Sequence, residues 1–215
     1  MKKFMKKIAL VLSCVMMMGL LGGCGSFDAA AYLSALLDNS YKNDSTAVVA
    51  QEIATAEEAA AIYEEGLDVQ VDAFVSALGI SEDQAEGLRA ALADVLAGAK
   101  YTVGEAEKQS DGSYVVTVSY EKMNVFGPAT ESYMVAAEEI TTAYTEAALA
   151  GEEVSQEEMI VEVLDAFVAA LNDAVANATY DEAQTATVRI ELVDDQYAPN
   201  EADLQNLTNV LFDNE

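Results

Sequence analysis

The sequence predicts an α+β domain in which a small antiparallel sheet of three to four strands, a hairpin plus a later strand, packs against about six helices. Three observations lead there. Apolar residues recur at helical spacing over most of the chain, and Ser/Thr-x-x-Glu/Gln boxes open several of those stretches. The period changes to two in only two places, one of them around an Asp-Gly turn. The chain is acidic, yet 52% of it is hydrophobic, enough apolar surface to fold around a core.

The first helix is read over 27–41, FDAAAYLSALLDNSY, where Leu33, Leu36, Leu37 and Tyr41 fall near one face. After KNDST, a longer helix runs from about Thr55 to Leu78. Thr55 and Glu58 open it in capping-box spacing, Tyr63, Leu67, Val71, Phe74 and Leu78 form its stripe, and Gly79 ends it. Ser81 and Gln84 form a second box, opening a helix with Leu88, Leu92, Val95 and Leu96 inward. Residues 101–109 and 113–122 then read as a β-hairpin. Asp111-Gly112 is its turn signal, and Tyr114, Val116, Val118 and Tyr120 alternate with more polar neighbours, so one sheet face is buried and the other at least partly wet.

Pro128 breaks the strand and launches a fourth helix with Tyr133, Ala137, Ile140, Tyr144 and Ala147 on one face. The linker GEEV leads to Ser155 and Glu158, which cap a fifth helix striped by Met159, Ile160, Val163, Leu164, Phe167, Val168, Leu171 and Val175. In the strand TATVRIELV, residues Val188, Ile190 and Leu192 point inward, Arg189 and Glu191 outward, and a last helix runs from about Asn200 to Phe212. The order of helix, Ser-capped helix, Ala-x-Tyr and strand occurs through Ser81 and Tyr101 and again through Ser155 and Tyr180, the arrangement a diverged duplication would leave.

Ahead of this domain lies a leader. MKKFMKK carries four lysines and no acid, and residues 8–23 are apolar over the length of a secretory h-region, short of a full bilayer span. Leu21, Gly22 and Gly23 then precede Cys24, a pattern that resembles the lipobox of bacterial lipoproteins. In that family the cysteine thiol is alkylated by diacylglycerol and the chain is cut just before it. Sulfur supplies the nucleophile, and small neighbours admit the enzymes. Cys14 is the rival site, but only six residues separate it from Lys7, too few for an h-region. The reading is therefore a signal peptide at 1–23, a short lipid tether at 24–26 and one extracytoplasmic domain at 27–215. Two acyl chains on Cys24 suffice for stable attachment. Gly25 and Ser26 give little reach, so the domain is expected against the membrane with its first helix nearest the bilayer.

The mature chain of 192 residues keeps six basic residues against 38 acids, a formal charge of −32. Such a surface repels phosphate backbones, which excludes nucleic acid as a partner and disfavours anionic lipid. No other cysteine remains to form a disulfide within it.

The chain has no histidine, which removes the Ser-His-Asp, Cys-His and zinc chemistries. Ser119 and Lys122 match a Ser-x-x-Lys spacing, but in a strand an odd separation points them to opposite sides. Carboxylate pairs could cleave glycosidic bonds, yet Glu57-Glu58, Glu138-Glu139, Glu152-Glu153 and Glu157-Glu158 sit at helix starts or on polar faces, where the helix dipole and solvation account for them. Neither the Asp111-Gly112 turn nor the stretch from Asp194-Asp195 to Asp203 has the spacing of an EF-hand loop. The tyrosines Tyr63, Tyr114, Tyr120, Tyr133 and Tyr144 lie on apolar stripes and read as core. No metal site, catalytic residue or cofactor is assigned.

Taken together, GCGSFDAAAYLSALLDNSYK, YTVGEAEKQSDGSYVVTVSYEKMNVFGPA and YDEAQTATVRIELVDDQYAPNEADLQNLTNVLFD resemble a family of small lipoproteins of Gram-positive, largely clostridial bacteria, a domain of unknown function. The resemblance implies an extracytoplasmic α+β domain held by lipid at the outer face of the cytoplasmic membrane, and brings no catalytic residues. The function expected is a non-enzymatic binding module for a membrane-proximal protein or ligand. The alternatives are a carboxylate-dependent hydrolase of envelope glycans and a substrate-binding lipoprotein of a transporter. Transporter receptors, however, are usually larger and two-lobed, with alternating βα units.

Overall fold

Phe27 and Asp28 set the start of the fold in the computed structural model, which describes residues 27–78, 81, 83–193 and 196–212, without the side chains of 73, 74, 77, 78 and 83. Asp28 Oδ1 accepts the Ala31 amide at 3.0 Å and caps α1 (Ala29–Lys42). Phe27, one residue ahead of the cap, packs on Tyr32 with ring centroids 5.3 Å apart, forming a hydrophobic staple. Asn43 ends α1 in the left-handed region at φ 52°. The next stretch contains a helix, α2 (Thr46–Ala50), that the periodicity missed, because five residues are too few to show a stripe.

The capping box of α3 (Ala56–Leu78) closes in both directions. Glu58 N donates to Thr55 Oγ1 at 3.2 Å and Thr55 N to Glu58 Oε2 at 2.9 Å. Of the stripe expected on α3, Tyr63, Leu67 and Val71 are buried; the side chains of Phe74 and Leu78, like Gly79, lie outside the described residues. The Ser81 box also forms, with Ser81 N donating to Gln84 Oε1 at 2.8 Å, but it opens a 3₁₀ turn (Asp83–Ala85) that leads into α4 (Glu86–Ala97). All four residues expected inward on α4 are buried.

The hairpin follows as β1 (Lys100–Lys108) and β2 (Tyr114–Glu121), joined through Gly112 at φ +92°. Register slips by one residue between Val103 and Ala106, a bulge at which a Cβ on Gly104 would come within 3.2 Å of Thr117 O. Beyond β2 come β3 (Met123–Asn124), α5 (Phe126–Ala150), α6 (Gln156–Ala176), β4 (Thr179–Tyr180), β5 (Gln184–Val193), β6 (Gln196–Pro199) and α7 (Glu201–Leu211). The main sheet is antiparallel in the order β1-β2-β5-β6, and β3 pairs with β4 in a separate two-stranded piece. The fold class is as expected, with seven helices among the described residues and with β3, β4 and β6 added to the strands read from the sequence.

The sheet is covered on one face. Val116, Val118, Val188 and Ile190 are fully buried beneath Tyr32, Leu33, Leu37 and Tyr41 of α1 and Leu204, Leu207 and Leu211 of α7, whereas Thr117, Thr187 and Arg189 face water. Burying each such Val, Leu or Ile side chain stabilises the fold by about 1.5–3 kcal/mol. Leu192 departs from the expected inward row. It is 42% exposed, because it lies at the end of β5, opposite Tyr197, where the helical layer no longer covers the sheet. The start of α7 protects the edge of β5 that β6 leaves open. Asn200 N donates to Arg189 O at 2.8 Å, and Asp203 Oδ2 accepts Arg189 N at 3.0 Å, satisfying ladder groups that would otherwise face solvent.

The fourth and fifth predicted helices form an antiparallel pair. Tyr133 and Phe167 join them edge to face at 5.4 Å. The α5 stripe is only half-buried, Ala129 being its buried residue, and α6 reaches the core through Leu164, Ala170, Leu171 and Ala174.

Candidate functional site

Cys24, the lipidation site expected from the sequence, lies outside the described residues, and the structure bears on it through Phe27, three residues on. Phe27 stacks on Tyr197 with centroids 3.9 Å apart and planes 4° from parallel, and meets Tyr114 edge-on at 5.5 Å. Tyr32 lies buried beneath, its hydroxyl donating to Tyr197 O at 3.0 Å. Burial pushes that hydroxyl up to about 12. Burial also raises the Tyr197 hydroxyl, with Tyr114 beside it adding to the shift.

These rings stand at one particular end of the sheet. Tyr114 begins β2 opposite Ile190, and Tyr197 lies opposite Leu192, so the β1–β2 turn and the end of the β5–β6 hairpin flank the place where the chain enters the domain. A Cβ on Gly112 would lie 3.6 Å from Leu192 Cδ2, which places the turn against β5. The start of α1 and the sheet tip thus share the end of the domain at which the described chain begins.

Basic side chains are nearly all engaged. Among the described residues, Lys42 pairs with Asp38 at 2.8 Å, Lys100 with Glu121 at 3.7 Å, Lys122 with Asp181 at 3.3 Å and Arg189 with Asp203 at 2.7 Å. Arg89 is held by Glu64 and by Asp68 at 2.5 Å. Lys108, at the sheet tip, stands 5.6 Å over the Tyr114 ring.

The remaining candidates are separated. Ser119 sits within β2, while Lys122, past its end, is bound to Asp181, so the Ser-x-x-Lys pair does not meet. Asp111 Oδ1 accepts from Ser113 N at 3.0 Å and Ser113 Oγ at 2.6 Å, bonds that hold its carboxyl below the usual range and tie it to the turn. Hydrogen bonds from Arg189 likewise lower Asp203, while Asp194 and Asp195 lie outside the described residues. Tyr63 and Tyr120 are core, as expected; Tyr114, Tyr133 and Tyr144 are half-buried.

One shallow groove gathers acids. Tyr144 of α5 faces Glu157, Glu158, Val161 and Glu162 of α6, with Ser155 and Gln84 at the margin. Burial raises the Tyr144 hydroxyl, and Glu162 and Glu158 raise it further. Ser155 Oγ is committed as the helix cap, accepting Glu158 N at 3.2 Å. The groove can donate through the phenol and accept through the carboxylates, and it repels anions. Among the described residues no three acid, cysteine or histidine side chains are placed to hold a metal ion, and no helix is long and apolar enough to cross a membrane.

No protein-family model matches the chain, and no curated protein sequence matches it. The fold is similar to a crystal structure described as "a putative lipoprotein (ycdA)" from Bacillus subtilis. The TM-score is 0.53 at 17% identity, and the match takes in 86% of this chain and 56% of that one. This chain thus spans little more than half the length of that neighbour. What they share is the α+β fold.

Proposed function

We propose that the chain is a lipoprotein held through diacylated Cys24 at the outer face of the cytoplasmic membrane, and that its domain is a non-enzymatic binding module for a membrane-proximal partner. The observation that carries the reading is the sequence around Cys24. A lysine-rich start, a short apolar run and Gly22-Gly23 lead to a cysteine three residues ahead of the first ring locked into the fold. The fold likeness to a protein described in the same terms supports it. The carboxyls held below their usual range, among them Asp111, Asp181 and Asp203, owe this to hydrogen bonds that favour the charged form, whereas a general acid needs the reverse.

The test is Cys24→Ala. It should abolish incorporation of labelled fatty acid, since the remaining thiol, Cys14, lies only six residues past Lys7, too near for an h-region. Label persisting on that variant would overturn the assignment. Crosslinking the intact protein in its native cell should capture a membrane protein or membrane-bound molecule. Turnover of an envelope glycan would favour the hydrolase reading instead.

A further inference from the structure

The sheet tip carries apolar surface that the fold leaves uncovered, and the tether is too short to hold it far from lipid. Leu192 and Val193, at the end of β5, are 42% and 55% exposed. Beside them stand the half-buried rings of Phe27, Tyr114 and Tyr197. Cys24 is three residues from Phe27, a span of at most about 11 Å even when fully extended.

We propose that this tip is a bilayer-docking surface: Leu192 and Val193 rest among the lipid headgroups, the Phe27, Tyr114 and Tyr197 rings sit at the interface, and Lys108 reaches lipid phosphate. This rests on the lipoprotein reading of Cys24. Two observations select the bilayer as the occupant. The first is reach, since the acyl chains must enter the membrane within that span of Phe27. The second is charge. Among the described residues the other five basic side chains of the mature chain pair with carboxylates, and Lys108 stands exposed over the Tyr114 ring at the tip. Aromatic rings with one polar end suit the boundary between headgroup and acyl chain. Asp111 at the turn makes anionic headgroups a poor match, so the surface fits a zwitterionic bilayer.

The chain has no tryptophan, so one introduced indole reports a single position. The full chain would be lipidated during expression and reconstituted into phosphatidylcholine vesicles containing lipid brominated near the top of its acyl chains. Leu192→Trp should lose most of its emission. Thr185→Trp, exposed and seven residues back along β5, sits roughly 23 Å away and should keep nearly all of its emission. Val193→Trp serves as a second tip probe should Leu192→Trp fold poorly. Lys108→Gln should weaken quenching at position 192 severalfold while leaving the melting temperature unchanged. Equal quenching at 192 and 185, or stronger quenching at 185, would overturn the docking. Protein that fails to float with the vesicles would overturn the lipoprotein reading itself, which separates the two failures.

Discussion

Phe27→Ala is the substitution that most directly tests whether the ring cluster holds the chain entering α1. The side chain is half-buried, stacked on Tyr197 and in edge or tilted contact with Tyr114 and Tyr32. Truncating a fully buried Phe costs about 3–5 kcal/mol; with half the ring already in water the expected loss here is about 2 kcal/mol. For a domain of this size that corresponds to a fall of about 6 °C in melting temperature. The measurement is thermal unfolding followed by far-UV circular dichroism in the Cys24→Ala background, paired with hydrogen exchange of the first turn of α1. Phe27→Leu keeps much of the apolar area but gives up the ring contacts, and should cost about 1 kcal/mol. A shift under about 1 °C for Phe27→Ala would refute the reasoning. It would mean that the rings do not hold the entering chain, so that the tether is longer than three residues.

The core face and the wet face of the sheet should respond differently: Val118→Asp buries an unpaired charge at a fully buried site and should unfold or severely destabilise the domain, whereas Glu191→Gln keeps the acceptor used by Asn200 and should shift stability by roughly 0.5 kcal/mol at most. Similar melting temperatures for the two variants would invert the assignment. Asp203→Asn should destabilise at neutral pH. Hydrogen bonds from Arg189 lower the folded-state pKa of Asp203, so its contribution is present above the unfolded value and is lost as pH falls through the folded one. The gap between wild type and variant in acid titration should therefore narrow over that window, and a gap that stays constant would show that the charge is not what matters. With anionic vesicles, lowering salt to 0.01 M extends the Debye length to about 30 Å and should reduce bromolipid quenching of Leu192→Trp. On neutral vesicles the same change should have no such effect, and a loss of quenching there would argue against apolar docking.

Most of the fold was legible because its signals are local. The Thr55, Ser81 and Ser155 boxes, the Asp-Gly turn and the alternation in β2 and β5 are each written within a few residues. What escaped notice is short or depends on distant partners. β3 and β4 are two residues each and exist by pairing across 54 residues of intervening chain, from Asn124 to Thr179 at the nearest. Likewise β6 is four residues paired with the end of β5. Leu192 fits the inward row by period, and nothing local records that helical cover ends before it. The bulge at Gly104 has a local mark, a glycine inside a strand, but that mark does not fix where the register slips. For the candidate site, Cys24 is an expectation from the leader pattern and lies outside the described residues, whereas the ring cluster brings together residues 27, 114 and 197, and no spacing in the sequence joins them.

The acidity of the domain and its proposed place on a membrane are compatible because of how the cations are distributed. At physiological salt a surface charge is felt over about 8 Å, so the acids far from the tip contribute little to the encounter with lipid. What counts is the local set. Five basic residues are spent on intramolecular pairs such as Lys122–Asp181 and Arg189–Asp203, which hold the ends of the strands and α7 in place. Those pairs leave Lys108, over the Tyr114 ring at the sheet tip, as the favourable contact. On a zwitterionic bilayer, which carries no net charge, the proposed orientation is therefore set by the apolar tip and Lys108 and not by the acids elsewhere on the domain.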